Sequence, residues 1–276
     1  MAKILDGRAA AKAIKESLAT RVAKLPTPPV LGTILVGSDP ASVSYINGKH
    51  RDCAEIGIKS LRVEIPESAT KVEILAAVER LNSEKSCTGF LVQLPLPDSV
   101  EVGSIMSAVD PTKDVDGLHP INLGRLTLDQ PGVRPCTPLG IIELLRQNQI
   151  ELAGREVVVI GRGATVGRPL ALMLAARSIN ATVTTVHSKT RNIAAHTKRA
   201  EIVISAVGSP NLLTPEMISP GAVIVDVGLT RTDAGLVGDV APGVSEVAGW
   251  ITPVPGGVGP MTRAMLLRNL LELAEK

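Results

Sequence analysis

Short runs of branched aliphatic residues recur along this chain, each followed by a stretch of helical periodicity, and this alternation constrains the fold more than any other feature. "VLGTILVG", "IKSLRVEI" and "GFLVQL" alternate with helical stretches in the first half, and "EVVVIG", "TVTTVH", "EIVISAVG" and "AVIVDVG" do so in the second. Such short apolar runs are strands buried on both faces, which calls for a mainly parallel sheet layered with helices. With 276 residues, an α/β fold in two domains is expected.

Local signals mark the elements. Asp6 caps a helix expected to run to about Leu25, where "PTPP" stops it. Asp39 followed by Pro40 supplies an N-cap and then proline at the first helical position, opening a helix through "ASVSYINGKHRDCAEIG". Thr70 and Glu73 have capping-box spacing. From Asp110 to Pro138 the pattern dissolves into one long loop rich in Pro, Gly and Asp, of a kind that usually carries function or links domains. "LGIIELLRQNQI" resumes as a helix, and an amphipathic helix in "GPMTRAMLLRNLLELAEK" is expected to return to the first domain. The expected division is 1–137 joined by 260–276, and 138–259.

Composition excludes several classes. The net charge is only +2, with no basic block and no aromatic platform for stacking, so nucleic-acid binding has no support. No apolar run approaches the roughly 20 residues that span a bilayer, and the amino terminus reads as strand and helix without the apolar core of a signal peptide. Cys53, Cys87 and Cys136 are odd in number and lack a CxxC pair, which suits free thiols in a reducing cytoplasm better than disulfides or a metal site. The aromatics are Tyr45, Phe90 and Trp250 alone, so the core is aliphatic, and a tyrosine on a polar helix face needs another reason.

Two regions carry chemistry. In "REVVVIGRGATVGRPLALML", Gly161, Gly163 and Gly167 lie between a Val-rich strand and a helix. Glycines there allow a tight turn and bring a pyrophosphate to the free N–H groups of the helix amino terminus. The spacing is one residue longer than GxGxxG, so the strand-to-helix context carries the reading. Where NAD sites usually place an acid, "VHSKTRN" offers Ser188, Lys189 and Arg191, and Arg162 stands in the glycine turn; these favour a 2′-phosphate, hence NADP. In the first region Tyr45 and Lys49 share a helix face at i and i+4, an ordinary surface pairing on its own. Gln93 ends an otherwise apolar run, Asp114 and Asp116 flank Val115, and "PVPGGVGPMT" packs Gly and Pro at 255–260. Strand ends and loops at one edge of an α/β sheet are where ligands bind.

"SVSYINGKH", "VQLPLP", "KDVDGLHPINLGRL", "RPCTP", "VVIGRGATVGRP", "HSKT", "VDVGL" and "ITPVPGGVGPMT" resemble, in order and spacing, the bifunctional methylenetetrahydrofolate dehydrogenase/methenyltetrahydrofolate cyclohydrolase family. The resemblance covers nearly the whole chain. It implies an α/β catalytic domain and a Rossmann-type NADP-binding domain. The implied reaction is NADP-dependent oxidation of 5,10-methylenetetrahydrofolate to the methenyl cation, then hydrolysis to 10-formyltetrahydrofolate.

By that resemblance Lys49 transfers the proton, Tyr45 packs beside the folate, Gln93 hydrogen-bonds the lysine and Asp116 holds the pterin. Pro255, Gly256, Gly257 and Gly259 line folate and nicotinamide. Gly161, Arg162, Gly163, Ser188 and Leu229 contact NADP, and Arg191 joins them on charge. Many members read GRS where this chain has Gly161-Arg162-Gly163, so one hydroxyl contact is missing here. Homodimers are typical of the family. The partners implied are tetrahydrofolate one-carbon derivatives, with neither nucleic acid nor membrane.

A Tyr-x-x-x-Lys pair also marks short-chain dehydrogenases, but there the glycine turn lies upstream of the pair, whereas Gly161 lies far downstream of Tyr45. A nucleotide-sensing module would bind NADP without turnover.

Overall fold

The computed structural model describes residues 1–233 and 235–276. They divide into two compact units, Lys12–Cys136 with Arg263–Lys276, and Met1–Ala11 with Thr137–Thr262.

The first unit is built on a three-stranded parallel sheet. After β1 (Lys3–Ile4) and α1 (Gly7–Val22), whose amino-terminal residues belong to the other unit, come β2 (Val30–Val36), α2 (Pro40–Glu55), β3 (Lys59–Ile65), α3 (Lys71–Ser83) and β4 (Gly89–Val92). The order is β3-β2-β4, so β2 is central, and all seven of its residues are buried. That explains its unbroken Val, Leu and Ile run, since a central parallel strand has no solvent face. The helix caps behave as their residue types dictate. Asp39 accepts from the Ser42 N–H at 2.8 Å ahead of Pro40, and Thr70 and Glu73 form a reciprocal capping box. Phe90 is fully buried with Ile34, Ile74 and Ile105 in the core against this sheet.

The stretch from 110 to 138 differs from the expected single loop. After α4 (Val102–Ala108), residues Pro120–Thr127 form α5, and α6 (Cys136–Gln147) begins earlier than its periodicity suggests. The reason is an unusual cap: His119 Nδ1 accepts from the Ile121 N–H at 3.0 Å, followed by proline at the first helical position. Histidine is not among the residues that signal a helix start.

The second unit continues with β5 (Glu156–Ile160), α7 (Gly167–Ala175), β6 (Thr182–Val186), α8 (Ile193–Thr197), β7 (Ile202–Ser205), β8 (Val223–Asp226), β9 (Thr230–Thr232), β10 (Gly235–Val237), α9 (Val244–Val247), β11 (Trp250–Ile251) and α10 (Val258–Ala274), which runs on into the first unit. Its main sheet has the order β1-β11-β8-β7-β5-β6, parallel throughout, with β9 and β10 as a separate antiparallel pair. The first strand of the set, β5, lies between β6 and β7, so the chain reverses direction of winding there. Ligands of open α/β sheets bind beyond the carboxyl ends of strands at such a switch point. The carboxyl-terminal part of α10 packs within the first unit, where Asn269 donates to the carbonyls of Val115 and Arg134, both at 2.9 Å.

Candidate active site

Lys49 is 3% exposed, near the middle of α2 and one turn beyond Tyr45. Its Nζ lies 4.8 Å from the centroid of the Tyr45 ring and donates to Gln93 Oε1 at 3.1 Å. Gln93 follows β4 directly, and its backbone N–H donates to Ile34 O on β2 at 2.9 Å, so the sheet places it. Its side-chain amide donates to Leu94 O at 2.6 Å, which leaves only the amide oxygen to face the lysine. An acceptor-only partner holds the amine and does not compete for its lone pair.

Burial holds the Lys49 amine below its ordinary range, against the opposing pull of the Asp116 carboxylate nearby. The thiols of Cys136 and Cys53 also flank it, but burial pushes Cys136 well up and Cys53 up to about 12, so neither carries a charge at neutral pH. The arrangement is an amine biased toward neutrality beside an aromatic face and a carboxylate. It is suited to exchanging a proton with a ligand stacked on the ring.

The structure separates the two acids of "KDVDG". Asp114 is 2% exposed and accepts from the N–H groups of Gly117, Leu118 and His119 and from the Asn122 amide, so it organises the turn. Asp116 is half-buried and lies on the Lys49 side. Its neighbours hold it in place: the Asn269 bond fixes Val115 O, and Gly117, at φ +72°, presses against the Arg134 backbone where a Cβ has no room.

In the second unit the glycine turn lies at the switch point. Gly161 has φ +118°, and a Cβ there would stand 2.5 Å from Ala206 O at the end of β7. Ile160 pairs with Val186, and the Gly161 N–H donates to Val186 O at 2.8 Å. The exposed residues Arg162 and Ser188 therefore leave neighbouring strand ends, with Arg191 exposed further along the same loop. Residues around Gly163 leave open space within 4 Å of a Cβ, and α7 begins without a side-chain cap; in its first turn the Arg168 N–H donates to Gly163 O at 3.1 Å and Pro169 has no N–H. An open glycine turn leading into a helix and exposed cations fit a pyrophosphate and an adenosine 2′-phosphate. Leu229, 60% exposed, follows β8 at the same sheet edge. Pro255 to Gly259 also belong to this unit, with Gly256 at φ +120° and Gly257 packed on Thr252. Among the described residues no cluster of His, Cys, Asp or Glu has the makings of a metal site.

Comparison with known proteins decides the family. Residues 5–116 match the tetrahydrofolate dehydrogenase/cyclohydrolase catalytic domain, and residues 135–276 match the tetrahydrofolate dehydrogenase/cyclohydrolase NAD(P)-binding domain. The chain belongs to the tetrahydrofolate dehydrogenase/cyclohydrolase family. It is 55% identical to the bifunctional protein FolD 1 of a Nocardioides species, over 100% of this chain and 94% of that one. The bifunctional FolD enzyme of Campylobacter jejuni is 44% identical with a TM-score of 0.96, covering 100% of this chain and 99% of the other. The Trypanosoma brucei dehydrogenase-cyclohydrolase, solved with NADP and an inhibitor, is 40% identical with a TM-score of 0.93, covering 99% and 97%.

Several groups that shape this family member's site escaped the sequence reading. Asp239, fully buried, accepts from Ser205 Oγ and from the N–H groups of Val207 and Ser209, tying together the loop after β7. Asp226 ends β8 and accepts from Gly228, Asp239 and Val240; burial raises its carboxyl to about 6. Its signal was an acid closing the apolar run "AVIVD", the same kind of signal that picked out Gln93. Asn269 and Arg263 sit on α10 among residues that read only as an amphipathic helix.

Proposed function

We infer that this protein is a bifunctional one-carbon folate enzyme, oxidising 5,10-methylenetetrahydrofolate with NADP and hydrolysing the methenyl product to 10-formyltetrahydrofolate. The observation that carries the reading is the buried Lys49 amine held between the Tyr45 ring and the Gln93 carbonyl, with Asp116 alongside.

Tyr45 offers a flat face for the pterin, and Asp116 offers an acceptor-only carboxylate to its amino and N–H edge. In the hydrolytic step, water adds to the methenyl carbon and Lys49 accepts the proton released. The bond from that carbon to N5 then breaks as the hydroxyl proton is lost and N5 gains one, leaving the formyl group on N10 and N–H at N5. A cationic substrate drives the nearby lysine further toward its neutral, accepting form. Gln93 keeps the amine pointed at the substrate throughout. Bound NADP supplies the hydride acceptor for the oxidation. The residues proposed to hold it are Gly161, Arg162, Gly163 and Leu229, with Ser188 and Arg191 toward the 2′-phosphate; Pro255, Gly256, Gly257 and Gly259 are proposed as folate-binding residues.

Lys49→Met tests this reading. Loss of a positioned proton-transfer group typically costs about 10²- to 10⁴-fold, so decay of methenyltetrahydrofolate absorbance is expected to slow by that order. Normal hydrolysis by the variant refutes the assignment. Tyr45→Phe keeps the ring face, so it weakens turnover without abolishing it; complete loss favours tyrosine as the acid/base. The division of labour we propose assigns folate chemistry to 1–137 with 260–276 and NADP binding to 138–259. We further propose a cytoplasmic homodimer, for which sedimentation of the purified chain reads the oligomeric state.

A further inference from the structure

Arg263 sits on α10 and packs across the backbone of Gly48, the residue before Lys49: a Cβ on Gly48 would lie 3.4 Å from both Cδ and Nε of Arg263. The guanidinium is not loose there. Its Nε donates to Asp52 Oδ2 at 2.6 Å, and the other oxygen of Asp52 accepts from Lys15 Nζ at 2.9 Å. Asp52 is 6% exposed, and the Lys15 and Arg263 side chains are 15% and 24% exposed. Three helices, α1, α2 and α10, thus converge on one buried carboxylate a turn from the reactive amine. Lys15 also reaches Glu55, which spreads its charge away from Asp52.

We propose that Arg263, oriented by Asp52, is a positioning residue whose fixed positive charge adds to burial in favouring the neutral Lys49 amine, the form that accepts a proton. The inference rests on Lys49 being the proton carrier.

The groups that face Lys49 decide whether one cation matters. From α2 come the Tyr45 ring, the Cys53 thiol and the neighbouring His50; from the end of β4 comes the neutral Gln93 amide. The start of α6 brings the Cys136 thiol, the loop before α5 brings Asp116, and α10 brings Arg263. The thiols carry no charge, and burial together with the surrounding cations disfavours the charged form of His50. Among full charges, Asp116 favours the ammonium and Arg263 opposes it, with the Asp52 carboxylate that grips Arg263 offsetting part of that opposition. When Asp116 binds a pterin its charge is partly engaged, and Arg263 then opposes the ammonium with less competition. A guanidinium suits this task because it stays charged at every working pH and is gripped in one orientation by a carboxylate.

The test compares wild type, Arg263→Gln, Arg263→Lys, Asp52→Asn and the double variant Asp52→Asn/Arg263→Gln. The double variant replaces the ion pair with an amide pair of similar shape and leaves no unpaired buried charge. Two quantities are read: the pKa of the Lys49 amine by carbon NMR of ε-labelled lysine in the substrate-free enzyme, assigned with Lys49→Met, and the pH profile of methenyltetrahydrofolate hydrolysis. Loss of the Arg263 charge is expected to raise the amine pKa by about half a unit to one unit. The acid limb of the hydrolysis profile should move with it, a fall of about three- to tenfold on that limb, and Arg263→Lys should restore most of both.

An unmoved amine pKa in folded Arg263→Gln overturns the proposal; if that variant does not fold, so does an amine pKa in the double variant no higher than in Asp52→Asn alone. So does failure of both to fold, because the pair then holds the structure and not the amine. A shifted amine with an unchanged hydrolysis profile leaves the Arg263 inference standing and removes Lys49 as the proton carrier instead.

Discussion

Replacing Gly167 with alanine separates the two activities. Gly167 is the first residue of α7, where alanine is at home in the backbone conformation, so the effect is steric alone. A Cβ there would lie 2.7 Å from the Gly161 carbonyl carbon, closer still to its oxygen, and 3.0 Å from the Arg162 nitrogen. Carbon atoms settle at about 3.5–4.0 Å, so the glycine turn has to withdraw from the helix by about 1 Å. Overpacking of that kind costs about 1–3 kcal/mol, and it falls on the N–H groups proposed to hold the pyrophosphate. A misplacement of about 1 Å costs on the order of 10²-fold in rate.

The expected outcome is a 10- to 100-fold weaker NADP affinity by calorimetry, on the order of the overpacking cost, with methenyl formation slowed about 10²-fold. Hydrolysis of methenyltetrahydrofolate, assayed without NADP, is expected to stay within about twofold, as for sites that share no partners. Lys49, Gln93 and Asp116 all belong to the other compact unit. Equal loss of both activities in a folded protein, or unchanged NADP affinity, refutes the placement of the cofactor at this turn.

Gly163→Ser puts a hydroxyl where a Cβ meets nothing within 4 Å, so the variant should fold normally and bind NADP more tightly by about one hydrogen bond, 0.5–1.5 kcal/mol; weaker binding counts against the site. Gly48→Ala places its methyl in ordinary contact with Arg263 inside α2, and removal of a mid-helix glycine should stabilise the protein by about 0.5–1 kcal/mol in urea unfolding. A loss of stability there would show that Arg263 cannot yield. His50 bridges two hydroxyls, Thr33 Oγ1 at 2.9 Å and Ser60 Oγ at 2.7 Å, and burial first, then Arg62 and Lys49, holds its pKa below the usual value. The unfolded chain therefore binds the proton more readily, so this contribution is complete above about pH 6.5 and is lost as pH falls toward the folded pKa. His50→Gln should flatten the stability profile below that pH, and an unchanged acid limb would show that His50 does not set it.

Elements whose cause is local could be read from residues alone. The Asp39 cap, the Thr70–Glu73 box and the all-buried β2 each rest on neighbours within a few positions. The pieces that escaped have distant causes. β1 is two residues long and exists because Lys3 and Ile4 pair with Trp250 and Ile251 at the other end of the chain. α5 escaped for a different reason, since its cap is a histidine imidazole whose other nitrogen contacts Ser107 O at 3.2 Å. That ring is oriented by packing, and nothing in "HP" alone announces it.

The site divides along the same line. Residue type pointed to Gln93, because a polar group in an apolar run is costly unless it has a partner or a task, whereas Tyr45 and Lys49 were an ordinary helix pair by spacing and took their roles from the family resemblance. Asp114 and Asp116 are indistinguishable by type and spacing, and only burial separates them: four donors converge on Asp114, while Asp116 is left half-buried on the Lys49 side. Arg263 and Asp52 are further from legibility, lying 211 positions apart in the chain and joined at 2.6 Å. The identity of a proton carrier is a property of one side chain, whereas the pH at which it works is set by the charges that folding gathers around it. For Lys49, the proposed proton carrier, the charges are Asp116 and Arg263, contributed by a loop and by the last helix, so the residue could be picked out along the chain while its electrostatic surroundings required the fold.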